Sequence, residues 1–136
     1  MKKVFLLICT IFILSCESDG GNQRCDIINP ITVNLANPEF INIQVPGGWS
    51  YANGGPKGLV IYNFGSNYKA FSRECPSVNN CAQKMTVEND IKLVCPCDDA
   101  EFSILDGSPQ TAGINESVCE FKVSLVGSGV LNISNY

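Results

Sequence analysis

Four cysteines in two tight groups constrain this chain more than any other feature. The first group is Cys75-Pro76-Ser77-Val78-Asn79-Asn80-Cys81, the second Cys95-Pro96-Cys97-Asp98-Asp99-Ala100-Glu101-Phe102, and together they hold four of the eight cysteines. The same chain contains no histidine. That removes serine and cysteine triads of the usual type, because no imidazole is left to take the nucleophile's proton.

The other cysteines point to export. Lys2 and Lys3 form a positive start, and Val4 to Leu14 an apolar run broken only by Thr10. Such a run is too short to cross a hydrocarbon layer of ~30 Å at about 1.5 Å per residue, so it reads as a leader rather than a span. Ile13-Leu14-Ser15-Cys16 is similar to a bacterial lipobox, which predicts a signal peptide over residues 1–15 and lipid on Cys16. Acyl chains anchor by about 0.8 kcal/mol per buried methylene. The polar segment Glu17 to Gln23 lacks periodicity, and residues 16–25 read as a lipidated flexible tether. The expected address is the cell envelope, lipid-anchored in the outer membrane on its periplasmic or surface face.

Charge narrows the partners. The chain carries 9 basic and 13 acidic residues, and loss of Lys2 and Lys3 leaves it more acidic still. No concentrated basic face is available for nucleic acid or for a polybasic membrane patch. With Cys9 removed and Cys16 lipidated, Cys25, Cys75, Cys81, Cys95, Cys97 and Cys119 remain. An even number in an oxidising compartment reads as three disulfides whose connectivity the count leaves open.

From Asp26 onward, short alternating runs are punctuated by turn residues, which predicts an all-β domain over residues 26–136 of about nine or ten strands. Ile31–Leu35 and Phe40–Val45 have period two. Leu59–Phe64 and Tyr68–Ser72 flank Gly65-Ser66-Asn67 as one hairpin; Met85–Val87 and Ile91–Val94 flank Glu88-Asn89-Asp90 as a second. Phe102–Leu105 ends at Asp106-Gly107, and Val118–Val126 with Val130–Ile133 across Gly127-Ser128-Gly129 makes a third hairpin. Trp49, Tyr51, Tyr62, Phe64 and Phe71 fit an aromatic binding face, but at strand spacing they fit core and cross-strand packing better.

The two cysteine groups resemble the boxes of a Rieske iron–sulfur domain, C-x-H-x2-C and C-P-C-H-G-S-x-F. The resemblance extends from about Gly58 to Ser134. Tyr68–Cys75 is similar to the strand that delivers the first box, Phe102–Gly107 to the turn after the second, and Ser108–Gly113 to the family's proline loop. It implies a Rieske-like antiparallel sandwich with an inserted two-loop subdomain over residues 74–113. The family's ligand positions fall on Cys75, Ser77, Cys95 and Asp98, so serine and aspartate stand where the two histidines should be. Box 1 is one residue longer than the pattern, and Cys25 and Cys119 have no counterpart in it.

The resemblance also implies a set of pairings and three functional readings. Cys75 and Cys95 would share one iron, so without it they pair with each other; Cys81 and Cys97 occupy the family's disulfide clamp; Cys25 is then left for Cys119. The leading reading is a non-enzymatic, disulfide-stabilised lipoprotein that has lost its cluster and serves as a binding or structural module, with no catalytic residue, metal or cofactor. Its partners are the membrane, through the lipid on Cys16, and a protein or small ligand. The alternatives are an electron-transfer 2Fe–2S centre on Cys75 and Cys95 with either Ser77 and Asp98 or Cys81 and Cys97, and a structural zinc site on Cys75, Cys81, Cys95 and Cys97. The high potential of the family's centre comes from its imidazoles. A hydroxyl rarely ionises near neutral pH, and a carboxylate is a hard donor for so soft a site. Zinc pairs favour two to four intervening residues, which neither box provides. Asp98, Asp99 and Glu101 form an acidic group that fits a solvated loop better than a calcium site.

Overall fold

A computed structural model of the protein describes residues 25, 26 and 28–136. The predicted leader, Cys16 and nearly all of the tether lie outside the described residues. Among the described residues no helix is long and apolar enough to cross a membrane.

Among the described residues nine strands form, all in antiparallel pairs: β1 (Ile31–Asn34), β2 (Trp49–Ala52), β3 (Leu59–Asn63), β4 (Tyr68–Ser72), β5 (Thr86–Glu88), β6 (Lys92–Val94), β7 (Glu101–Ser103), β8 (Glu120–Val126) and β9 (Val130–Ser134). Six make one sheet in the order β1-β9-β8-β4-β3-β2, and β5-β6-β7 make a second. The large sheet curls about β8. Only Glu120 and Phe121 pair with β4, whereas Lys122–Val126 pair with β9. The two halves thus face each other across a first core that includes Val33, Leu131 and Ile133 from one side and Leu59, Ile61 and Ala70 from the other.

Strand periodicity explains how one sheet serves two cores. On β3, Leu59 and Ile61 point into the first core and Val60 into a second; on β4, Ala70 and Phe71 divide in the same way. Leu59, Val60 and Ile61 are all fully buried, as a strand covered on both faces requires. The second core is completed by Met85, Leu93, Phe102, Ile104 and Val118 from the connection between β4 and β8. That connection carries the small sheet, so the all-β sandwich has an inserted subdomain.

The insert leaves and rejoins the large sheet at adjacent points. Ser72 N–H donates to Cys119 O (2.8 Å), and Val118 N–H donates to Gly107 O (2.8 Å). Gly107 has φ +73°, and a Cβ there would lie 3.1 Å from both the Phe71 ring and Val118 O. Any side chain would be both strained and crowded at that corner.

One predicted strand is corrected. Phe40–Val45 does not extend; Pro38–Gln44 is a 3-10 helix, with Pro at its start. Ile41, Ile43 and Val45 imitate period two, yet Phe40 and Ile43 are the buried pair, while Ile41 and Val45 are 64% and 59% exposed. The three-residue spacing of Phe40 and Ile43 matches the 3-10 repeat, and Pro38 fixes φ at the first turn. The chain then doubles back so closely that a Cβ on Gly48 would collide with Asn42 O.

Candidate functional site

Both boxes sit at the tips of insert loops. Box 2 is the β6–β7 turn. Cys95 N–H donates to Ala100 O (2.9 Å) and Asp99 N–H to Cys95 O (2.9 Å), with Asp99 at φ 58°. Asp98 turns back on its own backbone, its Oδ1 accepting from Ala100 N–H at 3.1 Å. Box 1 bridges β4 and β5, with Asn80 at φ 61°. The Ser108–Thr111 segment runs beside β7: Ser103 N–H donates to Ser108 O (2.9 Å), Gln110 N–H to Glu101 O (2.8 Å), and Glu101 N–H to Thr111 Oγ1 (2.9 Å).

The four box sulfurs form two bridges. Cys75 is bonded to Cys95 with Cα atoms 5.4 Å apart, and Cys81 to Cys97 with Cα atoms 6.1 Å apart. A third bridge joins Cys25 to Cys119 across 94 residues, Cα to Cα 5.5 Å. All three Cα separations lie within the ordinary disulfide range of about 4.4–6.8 Å. The two box bridges touch. Cys75 Sγ and Cys81 Sγ, which belong to different bridges, lie 3.6 Å apart, and the sulfurs of Cys75, Cys81 and Cys95 all fall within 4.8 Å of one another. Cys75, Cys81 and Cys95 are buried and Cys97 is exposed.

The remaining family ligand positions do not join this group. Asp98 is exposed and committed to Ala100 N–H. Ser77 Oγ is enclosed yet has no hydrogen-bond partner. Glu101 faces Lys92 instead of its acidic neighbours, Nζ to Oε2 2.6 Å, and among the described residues the cysteine sulfurs form the one group dense enough to hold a metal. An iron–sulfur cluster requires thiolates, and zinc likewise binds the deprotonated sulfur. With every box sulfur bonded to another, an un-ionised hydroxyl at Ser77 and a self-capped Asp98, the residues present do not fit a 2Fe–2S group or a zinc ion.

A second set of contacts, which local sequence pattern does not reveal, docks the insert on the large sheet. Trp49 Nε1–H donates to Asp90 Oδ1 (2.8 Å), and Val87 N–H to Tyr51 OH (2.9 Å). The Arg73 guanidinium lies 3.6 Å from the Tyr51 ring centroid and donates through Nε to Met85 O at 2.8 Å. Partial burial pushes the Arg73 pKa down, against the opposing effect of Tyr51; the group stays charged, as a guanidinium does throughout the accessible range. Four of the five candidate aromatics thus serve packing: Trp49, Tyr51 and Tyr62 pack on the second core and Phe71 lies within it. Phe64 is 44% exposed.

No protein-family model matches the chain, and no curated protein matches it. Among solved structures, the chain is similar to the ferredoxin of carbazole 1,9a-dioxygenase from Nocardioides aromaticivorans IC177, at 14% identity and a TM-score of 0.48, covering 77% of this chain and 98% of that one. It is also similar to a chain in the complex of reduced oxygenase and oxidized ferredoxin in carbazole 1,9a-dioxygenase, at 18% identity and a TM-score of 0.49, covering 81% and 94%. Both TM-scores lie below 0.5, so the fold description rests on the strands and their register.

Proposed function

We propose that this chain is a Rieske-type β module that has lost its iron–sulfur cluster and works as a binding or structural element at a membrane surface. One observation carries the reading: all four box sulfurs are consumed in two bridges, Cys75–Cys95 and Cys81–Cys97. The box spacing supports descent from a cluster-binding ancestor, and the substitution of Ser77 and Asp98 for histidines supports the loss. Disulfides persist in oxidising compartments, which agrees with export and with lipid on Cys16, in the outer membrane of a bacterial cell envelope. The module is not an enzyme; it presents a rigid loop face to a protein or small ligand.

The test is an absorbance spectrum with iron and zinc analysis on the air-handled protein, beside fractionation of wild type and a Cys16→Ala variant. A colourless, metal-free protein that leaves the membrane fraction when Cys16 is replaced is the expected result. Two irons per chain with visible charge-transfer bands would overturn the loss of the cluster. Retention of the Cys16→Ala variant on membranes would overturn the anchor.

A further inference from the structure

The box bridges differ in access, although they touch. Cys97 is exposed, whereas Cys75 and Cys95 are 9% and 0% exposed. A cleft of about 360 Å³ opens beside them, lined by Lys57, Glu74, Cys75, Val78, Asn80 and Cys81 among others. It reaches one sulfur-bearing residue of each bridge. Lys57, whose Nζ donates to Ala82 O at 2.9 Å, and Glu74 both line the cleft, which therefore carries one charge of each sign.

We infer that the two bridges form one exchange unit, opened first at Cys81–Cys97 by a small dithiol, whose two-electron-reduced state keeps a Cys75–Cys81 bridge and frees Cys95 and Cys97 as thiols. The inference rests on the metal-free, disulfide reading of the boxes. In the first step a thiolate of the dithiol attacks Cys81 Sγ, the Cys81–Cys97 bond breaks, and Cys97 departs as a thiolate into water, where it takes a proton. Of the two box bridges Cys81–Cys97 opens first because it alone has an exposed residue, Cys97, whose thiolate can depart into water, whereas Cys75 and Cys95 are both buried. The dithiol's second sulfur then attacks the first; Cys81 leaves as a thiolate, and the dithiol becomes its cyclic disulfide. Two electrons have passed to the protein. Release from Cys97 frees rotation about the Cys81 side chain, whose sulfur already lies 3.6 Å from Cys75 Sγ. Cys81 attacks Cys75, the Cys75–Cys95 bond breaks, and Cys95 takes up a proton as a thiol.

Cys75 and Cys81 are 6 positions apart within the first box, against 16 for Cys81–Cys97 and 20 for Cys75–Cys95, so the new bridge lies inside one loop and no longer ties the two boxes together.

The experiment treats the purified protein with one equivalent of dithiothreitol without oxygen, equilibrates it, quenches in acid, alkylates, and maps the unreduced digest by mass. Labels on Cys95 and Cys97 with an internally linked 75–81 peptide are expected. Labels on Cys81 and Cys97 with Cys75–Cys95 intact, or labels confined to Cys25 and Cys119, would overturn the inference. A Cys95→Ser variant gives a second reading: Cys75–Cys81 linked and Cys97 free is expected, and Cys81–Cys97 retained with Cys75 free contradicts it. The untreated sample separates the two claims. Free box thiols with bound iron before any reductant is added would sink the metal-free reading, whereas six unreactive cysteines there leave only the exchange under test.

Discussion

The curled sheet and the insert it carries are held together by different means. Among the described residues the sheet encloses a core of twelve buried residues, none of them cysteine, with ladders continuous from β1 to β2. The insert has three strands of three residues each, and its core includes Cys75, Cys81 and Cys95. Strands so short bury little of their own surface, and a unit of about 40 residues usually needs cross-links or metals to hold it. Cross-links and docking contacts supply what the insert's own strands do not.

Removing the cross-links should separate the two regions most strongly. Replacing all four box cysteines with alanine removes two bridges, each stabilising by about 2–4 kcal/mol. Hydrogen exchange should then show Leu93 and Phe102 unprotected, while Ile61 and Leu131 keep most of their protection; equal loss in both regions would show that sheet and insert are one cooperative unit. Ile61→Ala comes next. It opens a cavity in the first core, costs about 2–5 kcal/mol, and lowers the denaturant midpoint of the whole chain, because β3 supports both cores.

Arg73→Met probes the junction between sheet and insert. It removes the hydrogen bond to Met85 O and the stack on Tyr51. The expected cost is about 1–3 kcal/mol, seen as faster exchange at Met85 and Val87 with Leu131 unchanged. A weaker effect belongs to Asp106, where the turn leaves the insert. The Ser108 hydroxyl and amide both donate to Asp106 Oδ1, at 2.8 and 3.1 Å, and hold its carboxyl below the ordinary carboxylate range. A depressed carboxylate pKa stabilises the fold above the unfolded value and loses that contribution as pH falls through the folded one. Asp106→Asn should therefore cost under about 1 kcal/mol at pH 7, since the site is solvent-screened. The cost should vanish in acid, and urea titrations at the two pH values check it.

Much of the fold was legible because local rules and burial agree. The β3–β4 hairpin has alternating residues on either side of Gly65, and the register Asn63↔Tyr68 closes it. The bridging of the box cysteines was legible through the motif. The 3-10 helix was not, because Ile41, Ile43 and Val45 alternate as a strand would, and only tertiary packing selects Phe40 with Ile43. Nor was the docking face: Trp49 and Asp90 meet across 41 positions, and neither carries a local signature of the other. Ser77 and Asp98 occupy neighbouring boxes in the pattern, yet one is enclosed without a partner and the other caps its own turn.

Peptide mapping of the unreduced protein, with free thiols blocked at the moment of lysis, decides whether the boxes hold disulfides or a cluster. Peptides linked Cys75–Cys95 and Cys81–Cys97, with no label on any of the four, are the predicted result. Four labelled box cysteines together with stoichiometric iron in the same preparation would contradict it.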